Sequence, residues 1–128
     1  MLAESKDASL YPDWLSHIES EHTRDAFHYL IGRASTLKSL TCHPKQKGVI
    51  SAFQFIDPGR HEMPFAFIPN KQWLLFYFRA PAVRSQKYSF ASLQAAFDSV
   101  AKNKSGEWTV KLRSIADVQR LWRLLSIE

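Results

Sequence analysis

Only one cysteine, Cys42, occurs in the 128 residues, so no disulfide can form within the chain. A small secreted domain stapled by disulfides is thereby excluded, and a reducing, cytoplasmic setting is the expectation. Glycine is nearly as scarce, with four residues, at positions 32, 48, 59 and 106. None falls in the spacing of a P-loop or of GxGxxG, and no GxSxG elbow occurs. Long apolar runs are missing too. The longest, Trp73 to Phe78, has six residues, against about 20 for a helix that crosses a bilayer. Residues 1 to 9 are polar and mixed in charge, without the apolar core of a signal peptide. No membrane partner is expected.

Residues 64 to 79 contain no Asp or Glu. A nuclease centre starting from Asp57-Pro58 would place a second carboxylate on the following strand, and none is there. The five histidines make no zinc framework such as CxxC or HExxH. His17 and Glu21 stand i, i+4, but Arg24 intrudes on that helix face, and His28 lies about three turns from His17, too far to share one ion. Cys42-His43 and His61-Glu62 add isolated pairs. Cys42 and His43, as sequence neighbours on a strand, point to opposite faces and do not form a nucleophile and base. No catalytic residue, metal site or cofactor is assigned.

Aromatic residues are plentiful. Nine Phe, four Trp and four Tyr make 13% of the chain, enough for a dense core with some left over for a surface. Apolar residues at 45% and charged ones at 23% are ordinary for a globular protein. The charge is uneven: residues 1–70 hold seven Lys/Arg and eight Asp/Glu, residues 71–128 ten and four. The net +5 therefore arises in the second half, which predicts a basic face after folding.

The pattern predicts a loose tail over 1–10 and one α+β domain over 11–128. Pro12 suits the first turn of a helix over 12–35, in one or two pieces, with Trp14, Leu15, Ile18, Ala26, Tyr29 and Leu30 at helical spacing. Short strands are expected over 36–42, 49–56, 65–68 and 72–79, with turns at Lys45–Gly48 and Asp57-Pro58-Gly59. Pro81 should end the last of these strands, leaving a loop to Lys87. Ser89 caps a second helix carrying Phe90, Leu93, Phe97, Val100 and Ala101 on one face, stopped at Asn103–Gly106. Glu107–Arg113 alternates as a strand. Ser114 with Asp117 opens a final helix that buries Ile115, Val118, Leu121, Trp122 and Leu125. The order α-β-β-β-(β)-α-β-α with short turns implies an antiparallel meander of four to five strands, helices on one face.

Two surfaces stand out. Trp73, Leu75 and Tyr77 share one face of the fourth strand, and Leu74, Phe76 and Phe78 the other. Either the chain covers both faces, or Trp73 and Tyr77 form a platform for a base or a partner subunit. The cations Arg79, Arg84, Lys87, Lys111 and Arg113, with Tyr88 as a stacking ring, are candidates to grip a phosphate backbone. Arg120 and Arg123 add charge to the wet side of the last helix. The leading expectation is a non-enzymatic binding protein whose basic half contacts an acidic partner such as nucleic acid. The alternatives are a homodimeric interaction module using Trp73 and Tyr77, and an enzyme with an unrecognised pocket.

Overall fold

A computed structural model describes residues 15–47 and 50–128. A short helical turn at 15–17 breaks at 18–20, and helix α1 runs Glu21–Ser35. Ser20 restarts it: its side chain accepts a hydrogen bond from the Thr23 amide, while Arg24 Nε donates to the Ile18 carbonyl at 2.6 Å across the break. Of the expected helix over 12–35, residues 12–14 lie outside the described residues. Its division into two pieces falls at Ser20.

Six strands follow where four or five were expected: β1 Thr41–Lys47, β2 Ile50–Asp57, β3 Glu62–Pro69, β4 Leu74–Phe78, β5 Ala101–Lys102 and β6 Trp108–Leu112. Between β4 and β5 lie two short helices, α2 Ala80–Arg84 and α3 Phe90–Ala96, and the chain closes with α4 Ile115–Leu125. The strands form one antiparallel sheet in the order β1-β2-β3-β4-β6-β5. The fold is α+β, with a meander and its helices on one face.

Four boundaries differ from expectation, each for a local reason. β1 begins at Thr41 and runs to Lys47, through residues read as a turn. Its polar composition suits a sheet edge, where Pro44 and Lys45 blunt further strand pairing. Leu37 and Leu40, taken for strand residues, are buried in the connection from α1. Pro81 both ends β4 and opens α2, since a proline in a helix's first turn loses no needed donor. Finally, α3 stops at Ala96, because Phe97 is already extended (φ −136°). Ala101 thus enters β5, and Asn103–Gly106 becomes a hairpin in which the Asn103 side chain accepts from the Ser105 and Glu107 amides.

The core is aromatic. Inward from the sheet point Phe53, Phe55, Phe65, Phe67, Phe76 and Phe78, all almost fully buried, with Leu74, Val110 and Leu112. Phe53 and Phe67 stack with centroids 4.8 Å apart, and Phe27 of α1 meets both edge-on. α4 contributes Val118, Leu121, Trp122 and Leu125, and α1 packs alongside it. The other face of the sheet receives no helix among the described residues.

Candidate functional site

Strand register fixes what the outer face displays. Leu75 lies opposite Lys111, Tyr77 opposite Thr109, Ala66 opposite Tyr77 and Gln54 opposite Ala66. Their neighbours along each strand, Phe53, Phe67, Phe76 and Val110, point into the core, so this whole row points out. An antiparallel sheet with one wet face ordinarily alternates apolar in and polar out. Here Ile68, Leu75 and Tyr77 face outward, half-buried, around Ala66. Trp73 precedes β4 on the same stripe.

The end of this stripe is held firmly. The Glu19 and Ser20 amides both donate to the Lys71 carbonyl, and Thr23 Oγ1 donates to the Gln72 carbonyl at 2.9 Å. The Asn70 amide donates to the Trp73 carbonyl at 2.8 Å, closing the β3–β4 turn. Trp73 is thus presented by a turn tied to the start of α1. Across from it, Lys111 Nζ lies 4.3 Å from the Trp73 ring centre and Arg113 Cζ 5.9 Å. At β6 the Ser99 hydroxyl receives the Lys111 amide at 3.1 Å, closing the sheet edge beyond the two-residue β5. Beside it opens a cleft of about 440 Å³ lined by Ser99, Lys111, Arg113, Asp117 and Arg120. Asp117 there accepts from the Arg113 amide, and Arg120 lies over the Phe97 ring at 5.4 Å.

The remaining candidates are dispersed. Arg79 shares the outer face but lies at the opposite end of β4, where Phe78 faces Trp108 and Leu74 faces Leu112. Its Nε pairs with Glu107 Oε2 at 3.1 Å, which offsets its charge. Arg84 and Lys87 sit on α2 and in the loop behind it, anchored on the helix side through buried Ala82. Arg84 pairs with Glu62. Tyr88 also belongs to the helix side: its ring meets Phe65 and Phe78 edge-on, and its hydroxyl donates to the Leu125 carbonyl at 2.8 Å. Burial pushes its phenol above the ordinary value. The two strands carrying the cations are neighbours, as a single patch requires, yet only Trp73, Lys111 and Arg113 converge.

Between the two ends lies a shallow depression of about 190 Å³, lined by Ala52, Gln54, Ala66, Ile68, Tyr77, Arg79 and Glu107. Burial, then the Glu107 carboxylate, raise the Tyr77 phenol, and Arg79 opposes them, so it is a neutral donor near pH 7. Gln54 and Ala66 were not among the expected site residues. Their only sequence signal is small or polar residues alternating with Phe along β2 and β3. Burial drives the Cys42 thiol up to about 12, which makes it inert as a nucleophile. Among the described residues no three His, Cys, Asp or Glu side chains gather into a metal-binding group, and no helix is long and apolar enough to cross a membrane. No family model, curated protein or solved structure matches this chain.

Proposed function

We propose that the protein is a non-enzymatic binder of single-stranded nucleic acid, which lies along the outer face of the sheet. The observation that carries this reading is the convergence of Lys111 and Arg113 on the Trp73 ring. An aromatic platform supplies stacking to any base, and the flanking cations supply phosphate contacts. The charge is of the right sign: among the described residues Lys45, Lys111 and Arg113 border this face, Glu107 is paired with Arg79, and Asp98 and Asp117 line the cleft beside Lys111 and Arg113 together with Arg120. Among the described residues the face is a shallow sheet, which offers unstacked bases a surface and presents no helix to a duplex groove.

Fluorescence anisotropy with labelled single strands over a range of salt tests the reading. Each phosphate neutralised contributes about 0.7 to the log–log slope on single strands. Replacing both Lys111 and Arg113 with alanine should therefore lower the slope by about 1.4. Binding weaker than about 100 μM at physiological salt, the feeble end of non-specific affinity, would end the proposal.

A second reading uses the same face for a homodimer, with Trp73 and Tyr77 in the interface. Outward Leu75 and Ile68 favour it, because soluble monomers seldom expose broad apolar patches. Sedimentation separates the two: a dimer at micromolar concentration that Leu75→Lys dissociates would support the homodimer.

A further inference from the structure

The row of outward residues across the middle of the sheet reads large, small, large. Gln54 and Tyr77 stand on either side of Ala66, one strand away each. Two strand spacings separate them, about 9.6 Å, with a methyl group between. Ala52 widens the floor and Ile68 closes one side. Ala66 faces away from the helices, so its small size is not dictated by core packing, and at 7% exposure it forms the floor of the depression. The volume of about 190 Å³ suits one flat heteroaromatic ring, well under the roughly 300–1,000 Å³ of a site for a drug-sized ligand.

Two polar groups around this slot are uncommitted, while Arg79 and Glu107, which also line it, are paired with each other. Neither the Gln54 amide nor the Tyr77 hydroxyl makes a hydrogen bond within the described chain. A glutamine amide offers a donor and an acceptor side by side, the pattern that matches N6 and N7 of adenine. The Tyr77 ring supplies a wall for stacking. Lys45, opposite Ala52, and Lys111, opposite Leu75, stand on the two flanks, where the phosphates on either side of a bound nucleotide would pass.

We infer that the depression between Gln54 and Tyr77 is a base-recognition pocket that accepts one unpaired adenine. The inference deepens the strand-binding proposal and rests on it. Stacking on Trp73 is indifferent to sequence, whereas the pocket gives the face a preference. Gln54 reads the base edge, Tyr77 holds its face, and Ala66 provides the space.

Two measurements test it. In anisotropy, oligo(dA) should bind roughly tenfold more tightly than oligo(dC), the discrimination a bidentate amide contact gives. Gln54→Ala should reduce that ratio to below about twofold while leaving oligo(dC) affinity in place. Ala66→Leu, which fills the slot from the outer face, should do the same without disturbing the core. Equal binding of both oligonucleotides, or a preference that survives both substitutions, overturns the pocket. The second measurement is a titration of free adenosine followed by heteronuclear NMR, which should shift the Gln54 side-chain amide with the Ala66 and Tyr77 backbone signals. If oligonucleotides bind while adenosine leaves these signals in place, the pocket is wrong and the strand-binding proposal survives. If adenosine moves them while no oligonucleotide binds, the strand-binding proposal is the one that fails. Signals that follow protein concentration and ignore adenosine would assign the depression to a contact between two copies and overturn the pocket.

Discussion

Lys111 is the penultimate residue of β6 and holds its ammonium 4.3 Å from the Trp73 ring centre, although the two lie 38 positions apart in the chain. The β4–β6 pairing creates this contact by setting Leu75 opposite Lys111 and Leu74 opposite Leu112. Residues of the basic second half thereby meet an aromatic at the sheet's outer face.

Trp73→Ala should cost about 1–3 kcal/mol in binding to single strands, the usual worth of one stacked base. The salt slope should stay unchanged, since removing a ring releases no counterions. Isothermal titration at two salt concentrations checks both parts.

Tyr88→Phe should leave oligonucleotide affinity unaltered and lower folding stability by about 0.5–1.5 kcal/mol. That is the ordinary net worth of a hydrogen bond, here the one to the Leu125 carbonyl. Urea denaturation and anisotropy on the same preparation give the two values. Replacing Arg84 and Lys87 together should likewise change the salt slope little, because both sit on the helix-covered side.

Much of this was legible in the chain, and the illegible parts share a cause. The strand β6 and helix α4 followed from clean period-two and period-three-to-four patterns with Ser114 as a cap, and both lie where those patterns put them, except that Ile115, expected in the core, is exposed in the first turn of α4. β1 was displaced because an edge strand carrying Pro44 and Lys45 reads like a turn, and β5 was missed because two residues carry no period. For the site, the side of the sheet was readable and the register was not. Alternation puts Trp73, Tyr77, Lys111 and Arg113 on definite faces, but only pairing decides which of them meet. Tyr88 fell in a loop by pattern, and its anchorage to Phe65, Phe78 and Leu125 comes from tertiary packing alone.

Phe76→Ala should destabilise the fold by about 3–5 kcal/mol, the range for deleting a buried ring. Phe76 is fully buried on a central strand and touches Phe55, Phe65 and Phe78. In native-state hydrogen exchange the amides of Leu74–Phe78 should be among the slowest of the protein. Exchange across β4 as fast as that of the hairpin Asn103–Gly106 would contradict its central position.

Burial holds the Cys42 thiol neutral, with its pKa pushed up to about 12 from an ordinary value near 9. A raised folded-state value contributes stability that is whole below pH 9 and is lost as pH climbs toward 12, because the unfolded thiol ionises first. Unfolding midpoints in urea should therefore fall over that interval, and less steeply in Cys42→Ala than in the wild type. Below pH 9 a thiol reagent should label Cys42 only as fast as the protein opens.

The most direct test of the central claim is a heteronuclear NMR titration of the full chain with a short single-stranded oligonucleotide. Binding on the outer face predicts saturable shifts at Trp73, Leu75, Tyr77, Lys111 and Arg113, with the Trp73 indole among the largest, and with α2 and the Tyr88 region unmoved. Shifts centred on Arg84, Lys87 and Tyr88, or none at all at millimolar oligonucleotide, would contradict it.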